Sequence, residues 1–194
     1  MKKDFDLLPR LFHYGRVIAT NNAYRITPNA EILHFADEIW YSWHAKEIPQ
    51  IFRGRYITTA ALGVSKKVWP SRGIIHFRKD SNNGISTSTS CLSGSNSGHQ
   101  AINLAVHMGS KEIVLLGFDM NPASLETNWH KEHKRQTNRN SYRDVMIPGM
   151  IKSVPVLEKM NVKVINANKE SFLDCFPKTS LGELLNRYDD NKQK

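Results

Sequence analysis

Cysteine is scarce in this 194-residue sequence, and long apolar runs are absent. The two cysteines, Cys91 and Cys175, cannot form a disulfide framework and lack the paired spacing of a metal site. Because no apolar run approaches the ~18 to 20 residues that a bilayer span needs, we expect no transmembrane helix. The opening MKKDFDLLPRLF has no apolar core before a small-residue cleavage site, so we expect no secretory signal. Together these features predict a reducing, cytoplasmic compartment.

Acidic residues are outnumbered. The 27 Lys and Arg residues exceed the 18 Asp and Glu residues, which gives a net charge of +9 and a pI near 9.6. Such a charge attracts phosphate groups on a nucleotide, a nucleic acid or a membrane surface, and solubility alone is the alternative explanation. Much of the charge lies in residues 130–143 and 189–194, so we expect an anion site beside the first of these segments.

Short apolar segments rich in β-branched residues predict strands. They lie at 16–20, 31–35, 55–60, 73–77, 111–118 and 162–166. The IVLL run of the fifth segment lacks polar alternation, which is typical of a parallel strand covered on both faces.

Helical spacing separates the predicted strands. Ala101, Leu104, Ala105 and Met108 recur at the intervals of one buried face and predict a helix over 98–108. Further helices are predicted over 151–160 and 180–188. Strand and helix in alternation predict an α/β fold, with a mostly parallel sheet of about six strands and helices on both faces. We expect one such domain over 1–188 and a polar tail over 189–194.

Ligands of these sheets bind outside the carboxyl ends of the strands. The rule points to Asn21 and Asn22, to Asp37, to residues 95–98 and to Asp119. Two polar stretches, 81–98 and 119–140, are predicted to be irregular loops, and the second has the length of a functional lid.

The stretch SGSNSGHQ predicts a turn that leads into a helix N terminus. Backbone N–H groups of Asn96, Ser97 and Gly98 would suit a phosphate there. The stretch is neither a Walker loop nor GxGxxG, so the alternative is that Ser97 only caps the helix. GFDM places Gly117 and Asp119 just past a strand, where the carboxylate would meet a ribose hydroxyl, a metal or a base, or would only cap a loop.

Two histidines, His130 and His133, lie three residues apart in the lid-like stretch. We predict no metal site, because a zinc ion needs a third protein ligand and no compact Cys and His set is present. One histidine would instead act as a general base, since imidazole titrates near neutral pH. Lys134 and Arg135 would favour an anionic leaving group. Solvated loop residues are the alternative.

The motifs follow one another in a distinctive order. The order is NSG, AINLAVHMGSKEIVLLGFDM, the histidine-containing loop, VKVINAN and SFLDCFPKTSLGELL. Over residues 4–185 it resembles a group of bacteriophage-encoded Rossmann-like proteins. That group is related to sialyltransferases that use CMP-sialic acid and to 6-hydroxymethylpterin diphosphokinase-like proteins. The resemblance implies a Rossmann-like fold and a nucleotide-containing donor, without fixing one reaction.

The resemblance also implies roles for individual residues. Asn21 would contact the donor's phosphate or sugar, and Asp37 its ribose or base. Residues 96–98 would form the turn that meets the nucleotide, and Asp119 would be the acidic residue that ends the central strand.

The catalytic base of the sialyltransferase-like members corresponds to His133 or His130, with His133 preferred for its distance to the next helix. Tyr142 is the nearby candidate for the tyrosines that contact the leaving phosphate. Arg143 adds positive charge beside it.

One departure concerns the start of the chain. Relatives open with a strand and a G-x-G-P-S-L turn ahead of a segment like DFDLL, and this sequence begins with MKKDF. We expect the nucleotide site to be reduced unless the natural start lies upstream.

These observations lead to three hypotheses. The first is a phage-type transferase with a CMP-, UDP- or GDP-sugar donor and no metal, which glycosylates a hydroxyl of an acceptor such as modified phage DNA in the host cytoplasm. The second is Mg²⁺-dependent transfer of a phosphoryl or diphosphate group, with Asp119 holding the ion. The third is a nucleotide-binding or host-protein-binding protein without catalysis. All three leave the oligomeric state open.

Overall fold

The first sheet consists of four parallel strands. The computed structural model describes residues 6–60, 73–121 and 139–192. The strands of this sheet are β1 (Ile18–Thr20), β2 (Ile32–Phe35), β3 (Arg55–Thr58) and β4 (Ile74–His76). They pair in chain order, with Ile18 opposite Ile32 and Tyr56 opposite Ile74.

Four more strands form two parallel pairs. They are β5 (Arg78–Lys79), β6 (Cys91–Leu92), β7 (Glu112–Leu115) and β8 (Lys163–Asn166), with β5 beside β6 and β7 beside β8. Each of the six predicted strand segments contains one of the observed strands. The described strands divide among three sheets, so a single sheet of about six strands stays a prediction.

The helices are short except for two. They are α1 (Leu8–Leu11), α2 (Glu38–His44), α3 (Ile48–Ile51), α4 (Ser97–His107), α5 (Arg139–Ser141), α6 (Ile147–Ile151), α7 (Val154–Lys159) and α8 (Leu181–Lys192). A 3₁₀ helix spans Asn21–Arg25 and a π-helix spans Tyr142–Met146. Among these described helices, none is long and apolar enough to cross a membrane. The mixed α/β class with parallel pairing is confirmed.

Helices cover both faces of the first sheet. Leu33 and Phe35 of β2 pack into an aromatic cluster with Trp40 and Tyr41 of α2. Ile32, on the opposite face of β2, packs with Leu104 of α4. The two faces alternate because successive side chains of a strand point to opposite sides.

Helix α4 confirms the expectation from periodicity and joins two cores. Leu104 packs against Ile32 and Ile57 of the first sheet, whereas Ile102 belongs to the cluster that contains Leu115 and Val164 of the β7–β8 pair. The helix ends at His107, close to the predicted end at residue 108, and Gly109 follows at φ +84°. A positive φ is readily adopted only by glycine, which explains this stop.

The stretch 81–98 is more ordered than its composition predicts. It contains strand β6 and the first residues of α4. The buried Asn103 side chain of α4 accepts from the backbone N–H groups of Ser86 and Ser93, both at 2.8 Å, and donates to the Ser86 carbonyl at 3.1 Å. Hydrogen bonds from the helix therefore replace the apolar contacts that this stretch lacks.

The chain closes by packing α8 against α1. Leu8 and Leu11 contact a cluster that includes Leu181 and Leu185. The Asp189 carboxylate accepts from the Tyr14 hydroxyl and from Arg10, whose Nη2 lies 2.5 Å away. Residues 189–192, assigned to a polar tail by composition, therefore continue the last helix.

Candidate functional site

The carboxyl end of β1 meets the start of α4. Asn21 directly follows β1 and adopts φ +49°, a left-handed conformation that asparagine tolerates better than most residues. The Ser97 hydroxyl donates to the Asn21 side-chain oxygen at 3.2 Å. This hydrogen bond brings together two positions that the sequence places 76 residues apart.

The start of α4 has the geometry of an anion site. Asn96 is the N-cap, and its side-chain oxygen accepts from His99 N at 2.9 Å. The N–H groups of the first helical turn have no partner within the helix and form the positive end of its dipole. Gly98 permits a close approach here, because an added Cβ would lie 2.8 Å from the Phe118 ring.

Asp119 lies past the end of β7, beside the carboxyl end of β8. Its side chain accepts from the Asn168 amide at 2.5 Å, and its carbonyl accepts from Phe172 N at 2.9 Å. Gly117 precedes it at φ +79°. Burial and, to a smaller extent, the negative charge of Asp119 raise the pKa of Tyr142.

Five buried side-chain polar atoms have no hydrogen-bond partner among the described residues: two follow β1 and β2, two precede α4 and one ends β8. They are Nδ2 of Asn22, Oε1 of Glu38, Oγ of Ser95, Nδ2 of Asn96 and Oδ1 of Asn166. Buried polar groups in folded proteins are nearly always paired, so such a concentration is unusual. The unpaired Nδ2 of Asn96, at the start of α4, favours a polar ligand or water there.

Two of the predicted site residues support the local fold. Asn22 is 1% exposed, and its oxygen accepts from the Trp40 indole at 2.6 Å. Asp37 caps α2 by accepting from Ile39 N at 2.8 Å. Arg143 is exposed and pairs with the neighbouring Asp144 at 2.7 Å. Their contributions to a ligand site stay predictions.

The loop residues predicted to carry the chemistry lie outside the described residues. They are His130, His133, Lys134 and Arg135. Within the described ranges, no group of three His, Cys, Asp or Glu residues is close enough to hold a metal ion.

Two residues near Asp119 were missed by the sequence-based predictions: Asn166, which ends β8, and Asn168, which donates to Asp119. An isolated asparagine just at or past the end of a strand is common, and only the fold shows what it contacts. Asn166 and Asn168 lie in the VKVINAN motif, whose alternation predicts the strand but not its polar end.

Two buried histidines form hydrogen bonds near the start of α4. His99 accepts from Ser95 N at 3.3 Å through Nδ1 and donates through Nε2 to the Ser153 hydroxyl at 2.8 Å. His34 lies between the Ile57 carbonyl and the Gln100 side-chain oxygen, both at 3.1 Å. Burial lowers the pKa of each histidine to about 4, so both are neutral at pH 7.

Comparison with protein-family models, with curated proteins and with solved structures gave no match to this chain.

Proposed function

We propose that this protein binds a nucleotide-linked donor at the carboxyl edge of its strands and transfers the donor's glycosyl group to a hydroxyl acceptor. The observation that carries the proposal is the unpaired buried Nδ2 of Asn96 at the start of α4, where Ser97 also holds Asn21. A nucleotide supplies what this edge lacks, namely phosphate oxygens for N–H donors and ribose or base groups for amides and carboxylates. The proposed frame is a single Rossmann-like domain of the bacteriophage-encoded group.

The proposed donor site has two halves. Backbone N–H groups of Ser97 and Gly98, with the amide of Asn96, would bind the phosphate because the helix dipole favours negative charge there. Asn21, already held by Ser97, would contact the sugar. Across the edge, the Asp119 carboxylate would accept from a ribose hydroxyl while Asn168 holds its other side.

The proposed chemistry is acid–base displacement without a metal. His133, or His130, would accept the proton of the acceptor hydroxyl as its oxygen bonds to the anomeric carbon of the donor. The bond from that carbon to the phosphate oxygen breaks, and the nucleotide leaves with the electron pair. Lys134 and Arg135 would stabilise the departing negative charge. The net charge of +9 suits a polyanionic acceptor such as modified phage DNA.

The test is thermal unfolding against CMP, UDP, GDP and their sugar conjugates, with and without Mg²⁺. A ligand at a hundred times its Kd should raise the midpoint by about 5 to 10 °C for a chain of this size. Ser97→Ala, which removes the hydroxyl that holds Asn21 and keeps the backbone N–H, should reduce the shift, whereas Thr87→Ala, which removes an exposed hydroxyl, should preserve it. A shift that requires Mg²⁺ would favour phosphoryl transfer instead.

A flat response from the folded protein to the whole panel would overturn the donor site. Binding without release of nucleotide in the presence of hydroxyl acceptors would leave a nucleotide-binding protein and overturn the transferase.

A further inference from the structure

His34 lies inside the first sheet, beneath the start of α4. It is the third residue of β2, opposite Thr20 of β1 and Ile57 of β3, and it is 0% exposed. Its ring lies between two oxygen atoms: Nδ1 is 3.1 Å from the Ile57 carbonyl oxygen, and Nε2 is 3.1 Å from Oε1 of Gln100. Both oxygens are acceptors, so each hydrogen bond requires a proton on the ring nitrogen.

A neutral imidazole cannot make both hydrogen bonds, because it carries a proton on only one of its two nitrogens. The other nitrogen then presents a lone pair to an oxygen atom. The imidazolium, in contrast, donates to both oxygens at once. The hydrogen-bond geometry around His34 therefore suits the charged ring, whereas burial favours the neutral ring and lowers the pKa of His34 to about 4.

Turning over the amide of Gln100 does not remove this conflict. Its Oε1 also accepts from the Thr59 hydroxyl at 2.6 Å, and its Nε2 donates to the Gly94 carbonyl at 3.2 Å. In the reversed amide, Nε2 would face His34, but Oε1 would lie against the Gly94 carbonyl, which only accepts. Either orientation leaves two acceptors facing each other while His34 is neutral, and one further proton on the ring satisfies every contact.

The charged ring lacks a counter-ion in the described part of the chain. The charged and titratable residues of the adjoining elements are Arg55 and Tyr56 of β3, His99 and His107 of α4, and Asp37 and Glu38 after β2. None of these residues shifts the pKa of His34, which is set by burial and by its two hydrogen bonds. The positive end of the α4 dipole also opposes a charge on the ring. These effects keep His34 neutral until negative charge arrives.

Gln100 connects the ring to the proposed donor site. Its backbone N–H donates to the Asn96 carbonyl at 3.0 Å, which closes the first turn of α4, and its side chain holds the Gly94 carbonyl ahead of that turn. An anion at the first N–H groups of the helix would therefore bind to the same turn that contacts His34. Its charge would attract the imidazolium and would offset the positive end of the dipole.

We propose that His34 takes up a proton when the phosphate of the donor binds at the start of α4. This coupling rests on the proposed function, in which the phosphate binds there. The direction follows from linkage: because the bound anion stabilises the imidazolium, the affinity for the anion should rise as the pH falls from 7 toward 4. Release of the nucleotide would then release the proton.

The experiment is an NMR titration of the full chain with ¹⁵N-labelled histidine, between about pH 5 and 7. The probes are sulfate, which stays a dianion over this range, and the nucleotide sugars of the thermal panel. Because the pKa of His34 is about 4 in the free protein, about one tenth of the ring is protonated at pH 5. We expect about half or more to be protonated at pH 5 with a probe bound, which corresponds to a shift of the midpoint by at least about one pH unit.

Two internal controls accompany the titration. His107, at the other end of α4, should keep its midpoint when a probe binds. Comparison with His34→Gln identifies the His34 signal, and contacts between the ring and the Gln100 side chain in nuclear Overhauser spectra identify it if that variant does not fold.

The backbone amide signals of Ser97 and Gly98 report separately whether a probe is bound at the start of α4. Movement of these signals with unchanged protonation of His34 would overturn the coupling and leave the donor site intact. If neither sulfate nor any nucleotide sugar moves them, the donor site itself is wrong and the coupling falls with it.

Discussion

At the scale of single residues, the polar side chains near the site divide by what they already bind. Asn22 and Asp37 are engaged by Trp40 and by the first turn of α2, and the capping role of Asp37 follows from a rule that sequence alone can apply. Asn96 is both cap and unpaired donor, because its oxygen is used and its Nδ2 has no partner among the described residues. Sequence predicted the position of Asn96 but not the unpaired atom, which depends on tertiary burial.

The two buried, neutral histidines make the free energy of unfolding depend on pH. Burial lowers the pKa of His34 and His99 to about 4, below the ordinary 6.5, so the unfolded chain takes up protons that the folded chain refuses. The free energy of unfolding should be highest above pH 6.5 and fall by about 3 kcal/mol per histidine as the pH drops to 4. Urea denaturation at a series of pH values measures this slope.

A variant separates histidine from carboxylate effects. Glu183, whose pKa is lowered to about 2 mainly by Lys169, loses its contribution only as the pH falls below about 4.5. His99→Gln should therefore flatten the slope between pH 4 and 6.5 and leave the lower range unchanged. An identical slope in wild type and His99→Gln would show that the imidazole already protonates in the folded state.

At the scale of elements, α4 organises the molecule. Its apolar periodicity is strong enough to predict the helix from sequence, because the residues that bury one face of a helix recur every three or four positions. The contribution of Asn103 is different. A lone asparagine inside a helix carries no periodic signal. Its role in ordering the 81–96 stretch is visible only in the structure, where backbone N–H groups of that stretch donate to it.

Replacing Asn103 should loosen that stretch. Asn103→Ala leaves the buried N–H groups of Ser86 and Ser93 without an acceptor, at a cost of about 1 to 3 kcal/mol for each donor. Urea denaturation measures the loss, and hydrogen exchange at Ser86 and Ser93 should speed up. Asn82→Ala, at an exposed position of the same stretch, is the control. Equal stability of the two variants would mean that water replaces the Asn103 side chain.

At the scale of the whole molecule, the sequence predicts where the strands are but not how they are arranged. Runs of β-branched residues predicted six strand segments, because strand formation leaves a mark on local composition. The short strands β5 and β6 were missed, since two residues carry too little pattern. Local patterns also could not predict that a cavity separates β1 from β7. The sequence of a strand does not determine which strand lies beside it.

Helix α4 contributes residues to both cores, and this predicts how the molecule unfolds. Leu104 is 2% exposed and packs on the first sheet, so Leu104→Ala should destabilise the protein by about 2 to 5 kcal/mol. Since Ile102 of the same helix holds the other core, the loss should spread to both sheets. Tryptophan fluorescence, to which Trp40 beside the first sheet contributes with the three other tryptophans, and circular dichroism should then follow one shared urea transition. Val145→Ala, at an exposed position, should change stability by no more than about 0.5 kcal/mol. Two separate transitions in Leu104→Ala would instead show that each core folds independently, with α4 holding only one of them.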